Sequence, residues 1–155
     1  MNESAFERVE RLLQRHGIHF DVLRHEPVFT SEEAATVRGV PLATGAKALI
    51  CKADARFVML VIPADRKLDS KQVRQALAIR ALRFASADEL RKLTGLAPGA
   101  IPPFGSPFGT PAYCDSHLTD QERINFNAGD HAISVSMRCS DYLAVERLTI
   151  GCFTA

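Results

Sequence analysis

The run AKALICKADARFVMLVI, residues 46–62, decides how the chain is built. It holds two apolar stretches, 46–53 and 57–62, on either side of a polar turn at 54–56. Each stretch is short for a helix, and Val58, Val61 and Ile62 favour extended backbone. The pattern predicts a β-hairpin. Residues 57–62 leave no face for water, so the hairpin belongs at the centre of a sheet.

Working outward, Gly39, Pro41 and Gly45 break the chain just before the hairpin. Ahead of them, residues 31–38 read as a short helix capped by Thr30 or Ser31. The first helix covers 4–16, with Phe6, Val9, Leu12 and Leu13 at helical spacing. Ser4 caps it, Glu7 completes a capping box and Gly17 ends it. Residues 18–23 set Ile18, Phe20 and Val22 against polar neighbours, a strand pattern. After the hairpin, a helix starts at Asp69 or Ser70 and runs to Leu77. Another runs from Ser86 to Leu93, with Asp88 and Glu89 in its first turn. Short strands follow at 112–114, 123–126 and 132–137, then a helix at 141–146 capped by Ser140. The expected architecture is one α+β domain over residues 1–155, with a mixed sheet and helices around it.

The 155 residues are 46% apolar and 24% charged, with a formal net charge of +1. That balance is ordinary for a globular chain and excludes a protein that coats nucleic acid. It leaves room for a local basic rim. Residues 66–92 carry eight basic side chains against three acidic ones, and such a stretch either meets phosphates or is a solvated helix face. Cys51, Cys114, Cys139 and Cys152 form no CxxC pair and have no histidine at zinc-ligand spacing, so no metal is implied and they read as small core residues. No apolar run reaches the ~18 residues of a membrane span, and the N-terminus has no signal-peptide core. The expected location is the cytoplasm.

The most unusual stretch is TGLAPGAIPPFGSPFGTP, residues 94–111, with five prolines and four glycines. It can be neither helix nor central strand. Pro102 and Pro103 have no N–H, so any backbone donors come from Gly99, Ala100 and Ile101. Stiff donors of this kind hold a carbonyl or an oxyanion. The same rigidity equally suits a connector closing one end of a sheet. Lys47 opens the hairpin's first strand and shares a face with Leu49 and Cys51. It is either an anion or carbonyl ligand at a pocket mouth or a solvent-facing lysine. There is no GxSxG, HExxH, Walker A or GxGxxG. His16, His19 and His25 read as surface or edge residues, with a place lining a cleft as the alternative for His25, in RHEP. Ser134 and Ser136 alternate within a strand, as core-edge hydroxyls or as pocket donors.

Several of these segments occur together in a known family. Thr94-Gly95-Leu96 with Gly99-Ala100-Ile101-Pro102-Pro103-Phe104-Gly105 resembles the loop signature of the YbaK/ProX family of aminoacyl-tRNA editing domains, also found within bacterial prolyl-tRNA synthetases. Gly45-Ala46-Lys47-Ala48-Leu49 resembles its lysine motif. His25, Phe29, Thr30, Leu68-Asp69, Ser86, Glu89-Leu90, Phe126-Asn127-Ala128-Gly129 and Ser134 follow in matching order. The likeness runs over nearly the whole chain and is greatest to the YeaK-like subgroup. It implies a mixed, mostly antiparallel curved sheet surrounded by helices. It also implies hydrolysis of the ester in mischarged tRNA without a cofactor, with a synthetase as a possible partner and neither DNA nor membrane involved. By that resemblance Lys47 holds the 3′-terminal nucleotide or the ester oxygens. Gly99, Ala100 and Ile101 contact the ester carbonyl, and His25, Phe29, Thr30, Pro102 and Ser134 bind substrate. The subgroup implies serine, threonine or alanine as the amino acid. Ala48 stands where cysteine-editing members carry threonine and alanine-editing members often carry asparagine. Ser106, after Gly105, is a second departure from the pattern.

Overall fold

The structure is a computed structural model describing residues 3–155. Helix α1 (Ala5–Arg15) is capped by Ser4, whose hydroxyl accepts from Glu7 N–H while the Glu7 carboxylate accepts from Ser4 N–H. Strand β1 (Phe20–Arg24) follows, then α2 (Ser31–Arg38), where Thr30 is the cap and Glu33 closes a capping box. The hairpin is β2 (Ala46–Ala53) and β3 (Arg56–Pro63), paired along its whole length from Ala46–Pro63 to Ala53–Arg56. Asp69 caps α3 (Ser70–Leu77), and Ser86 with Glu89 boxes α4 (Ala87–Thr94). The remaining elements are β4 (Leu82–Phe84), β5 (Ala112–Asp115), β6 (Arg123–Asn127), β7 (Ile133–Arg138), α5 (Cys139–Val145) and β8 (Thr149–Gly151).

The strands form two ladders, β4-β2-β3-β5-β8 and β1-β7-β6. Only β3–β5 and β5–β8 run parallel, so the mixed, mostly antiparallel character holds, and the hairpin lies inside the larger ladder. Among the described residues one isolated backbone bridge, Gly45 to Asn125, links the two ladders. One face of the larger ladder, with Ile50, Met59 and Val61, packs with Val9 and Leu13 of α1, Ile124 and Phe126 of β6 and Tyr142 of α5. The other face, with Cys51, Val58 and Leu60, is covered by Val73 of α3 and by Phe153. Burial on both faces explains the unbroken apolar run of β3.

Three expectations change. The last helix begins at Cys139 directly from β7, with Arg138 at the cap position and no side-chain capping bond, so Ser140 lies within the helix. Cys152 is exposed, unlike the three buried cysteines. Strands β4 and β8 have no counterpart in the sequence reading. Among the described residues, no helix is long and apolar enough to cross a membrane.

Candidate active site

A cavity of about 510 Å³ opens where the start of β2, the 94–111 loop and β6 converge. Strand β6 reads Arg-Ile-Asn-Phe-Asn, so Ile124 and Phe126 enter the core while Asn125 and Asn127 share the opposite face. Both asparagines line the cavity. The polar face continues across β7, where Ser136 pairs with Asn125 and Ser134 with Asn127.

Arg38, in the last turn of α2, reaches onto this face. Its Nε donates to Ser134 Oγ at 2.8 Å and its Nη2 to Asn127 Oδ1 at 2.8 Å. Among the described residues it has no carboxylate partner, and burial pushes its pKa down to about 10, which leaves it charged at neutral pH. Ser134 Oγ lies 2.7 Å from His25 Nε2, and His25 Nδ1 lies 2.7 Å from the Glu26 carbonyl. The carbonyl fixes the ring proton on Nδ1, so Nε2 accepts from Ser134. The Ser134 hydroxyl thus accepts from Arg38 and donates to His25.

The same network orients the loop. Asn127 Nδ2 donates to the Gly99 carbonyl at 2.8 Å. Ala100 N–H is taken by the Ala97 carbonyl, and the Ala100 carbonyl accepts from Gly129 N–H. Gly99 N–H and Ile101 N–H have no protein acceptor among the described residues, and both residues line the cavity. Gly99 has φ +85°, and a Cβ there would sit 3.3 Å from His131 Nε2. That histidine donates from Nε2 to the Pro98 carbonyl, and its ring lies 4.9 Å from the ring of Phe29. Phe29 is 73% exposed at the cavity lip.

Of the site candidates named from the sequence, Lys47, Gly99, Ile101, Phe29 and Thr30 line the cavity. Ala100, Pro102, His25 and Ser134 do not. Ala100 and Pro102 are buried, and the Ala100 amide closes a turn. His25 and Ser134 stand behind Arg38 and hold it. Lys47 is exposed at the mouth, and its neighbour Ala48 adds no polar group to the wall. Of the basic stretch, Arg66 and Lys67 reach the rim, whereas Arg83 pairs with Glu89 and Arg91 with Asp88 elsewhere. Sequence reading missed Arg38, Asn125, Asn127 and His131. The Asn-Phe-Asn alternation of β6 was the available signal for the two asparagines.

The second half of the loop is structural. Phe104 is fully buried against Phe126 and Tyr142, with centroids 5.5 and 5.2 Å away. The connector reading therefore holds for this half of the loop.

Residues 25–145 match the family model described as "Aminoacyl-tRNA editing domain". The chain is 34% identical over 146 residues to the multifunctional Ser/Thr-tRNA deacylase ProXp-y of Escherichia coli K12, covering 91% of this chain and 87% of that one. It is 35% identical over 82 residues to a proline–tRNA ligase of Bacillus licheniformis, covering 52% of this chain and 14% of the ligase. A solved structure described as a trans-editing enzyme for prolyl-tRNA synthetase superposes with a TM-score of 0.87 at 23% identity, covering 100% of this chain and 99% of that one. The match over 25–145 includes α2, the hairpin, the 94–111 loop and β6, the elements that build the cavity. This chain belongs to the aminoacyl-tRNA editing domain family.

Proposed function

We propose that the chain is a trans-editing aminoacyl-tRNA deacylase, a domain extending over residues 1–155. It hydrolyses the ester between a small amino acid of the serine, threonine or alanine type and the 3′ end of tRNA. The observation that carries this reading is the pair of unengaged backbone donors, Gly99 N–H and Ile101 N–H, in a cavity edged by Lys47. Such donors suit the oxygen that gains charge when an ester carbonyl is attacked. The buried Ser134 hydroxyl is committed to Arg38 and His25 and lies off the cavity, so it does not serve as a nucleophile.

Water is therefore the attacking group. Its oxygen adds to the ester carbonyl carbon, the bond to the ribose oxygen breaks, and the proton from water ends on that ribose oxygen. The aminoacyl ester is activated enough for positioning and charge stabilisation to suffice. Lys47 holds the terminal nucleotide or the ester oxygens, while Arg66 and Lys67 meet the backbone phosphates nearby. Editing answers a chemical limit, because one methylene gives a synthetase only about 1–3 kcal/mol of discrimination. The match to part of a proline–tRNA ligase supports work alongside a synthetase, in the cytoplasm.

The test is release of amino acid from purified Ser-, Thr-, Ala-, Cys- and Pro-tRNA. Multiple turnovers on at least one small aminoacyl-tRNA are expected. Tight binding of charged tRNA with no turnover on any ester would replace the deacylase with a binding module.

A further inference from the structure

Among the described residues the cavity wall contains one buried polar side chain, and the ester chemistry leaves it unused. Asn125 is 5% exposed, on the polar face of β6. Its Nδ2 donates to Thr44 Oγ1 at 3.0 Å, and Thr44 Oγ1 donates its own proton to the Pro41 carbonyl at 2.7 Å. Since that hydroxyl proton is engaged, the oxygen can only accept from the amide. This fixes which end of the amide faces Thr44 and turns Oδ1 the other way. Asn125 Oδ1 has no donor among the described residues. No buried side-chain oxygen or nitrogen there lacks a partner, so Oδ1 is open to solvent. The open space that Asn125 lines is the cavity.

We infer that Asn125 is a specificity-determining residue, and that its Oδ1 accepts a hydrogen bond from the side-chain hydroxyl of a bound seryl or threonyl group. The inference rests on the aminoacyl-ester reading of the cavity. An aminoacyl group offers two kinds of donor, its ammonium and, in serine or threonine, a hydroxyl. The ammonium is the charged one, and the exposed carboxylates of Glu32 and Asp65 line the same cavity for it. A neutral, buried acceptor suits a neutral donor, because burying an ammonium against an amide costs far more than burying a hydroxyl. A site built to pair a hydroxyl rejects the analogue without one, since its own polar group is then left unpaired. Thr44 is the positioning residue: without its hydroxyl the amide is free to flip and present Nδ2.

The experiment compares kcat/KM on Ser-, Thr- and Ala-tRNA for the wild type, Asn125→Leu, Thr44→Val and Thr44→Ser. The parallel readout is binding of non-hydrolysable amide-linked seryl- and alanyl-adenosine. Asn125→Leu is expected to lower Ser and Thr hydrolysis roughly tenfold to a hundredfold, with Ala hydrolysis within about threefold of wild type. Thr44→Val is expected to reduce the same selectivity, and Thr44→Ser to retain it. Thermal melts report that each variant is folded. Selective binding of the seryl analogue by a wild type that turns over no ester would uphold Asn125 while removing the deacylase reading. An equal loss on all three substrates, or no preference for a hydroxyl in either assay, overturns the inference.

Discussion

At the scale of single residues, Arg38 and Gly99 show how a charged side chain fixes a backbone. Arg38 holds Asn127, and Asn127 holds the Gly99 carbonyl, so the Gly99 peptide has one orientation. A side chain is poorly tolerated at Gly99, because positive φ is strained for any L-residue and its Cβ would press on His131. Gly99→Ala is expected to cost about 1–2 kcal/mol in stability, read by denaturant melts, and to lower deacylation at least about tenfold. An activity loss no larger than the population shift would argue against a donor role. Lys47 was conspicuous in the sequence as a cation opening an apolar strand, but only the family resemblance set it above a solvent-facing lysine. Arg38 was not, because a basic residue in the last turn of a helix reads as an ordinary complement to the helix dipole. Only the folded chain brings α2 onto the polar face of β6 and β7.

At the scale of elements, α5 clasps the proline-glycine loop. The Tyr142 hydroxyl donates to the Pro103 carbonyl at 2.6 Å. One turn later, buried Glu146 accepts from Gly105 N–H, Ser106 N–H and the Ser106 hydroxyl. Tyr142→Phe leaves the Pro103 carbonyl without its donor, and a loss of about 1–3 kcal/mol in unfolding free energy is expected. The short helices depend on their caps, and α4 adds a pH dependence. The Arg83 guanidinium and the Ser86 N–H hold the Glu89 carboxyl down at about 2, from an ordinary value of 4.5. A lowered carboxyl stabilises fully above its ordinary value, and that contribution fades as pH falls through about 2. Glu89→Gln is therefore expected to flatten the fall in Tm between pH 5 and pH 2. An unchanged slope would remove this pair from the acid response.

The caps at Ser4, Thr30, Asp69 and Ser86 were readable because capping is local chemistry. Strands β4 and β8, Leu-Arg-Phe and Thr-Ile-Gly, were not. Three residues carry no period, and each becomes a strand only through its partner, β2 or β5. Ser140 misled because β7 passes into α5 without a break, and Cys139 N–H is satisfied instead by the Glu122 carbonyl.

For the whole molecule, the two ladders pack against each other through a shared core and are joined by the Gly45–Asn125 backbone bridge, and the cavity lies at that junction. A side chain at Gly45 would crowd the end of the hairpin itself, since a Cβ there would stand 2.8 Å from Ala64 Cβ. The core is spread over both faces of the larger ladder, so its hairpin could be read from 46–62 alone. The cavity could be read only in part, since its walls come from segments nearly a hundred residues apart. The central claim is that an ester is cleaved in this cavity beside Lys47. Its most direct test is single-turnover hydrolysis of Ser-tRNA by wild type and by Lys47→Ala, with thermal melts of both. Lys47 is exposed, so the melts are expected to coincide while hydrolysis falls by roughly a hundredfold or more. Equal rates for the two proteins would contradict the account and return Lys47 to a solvent-facing strand end.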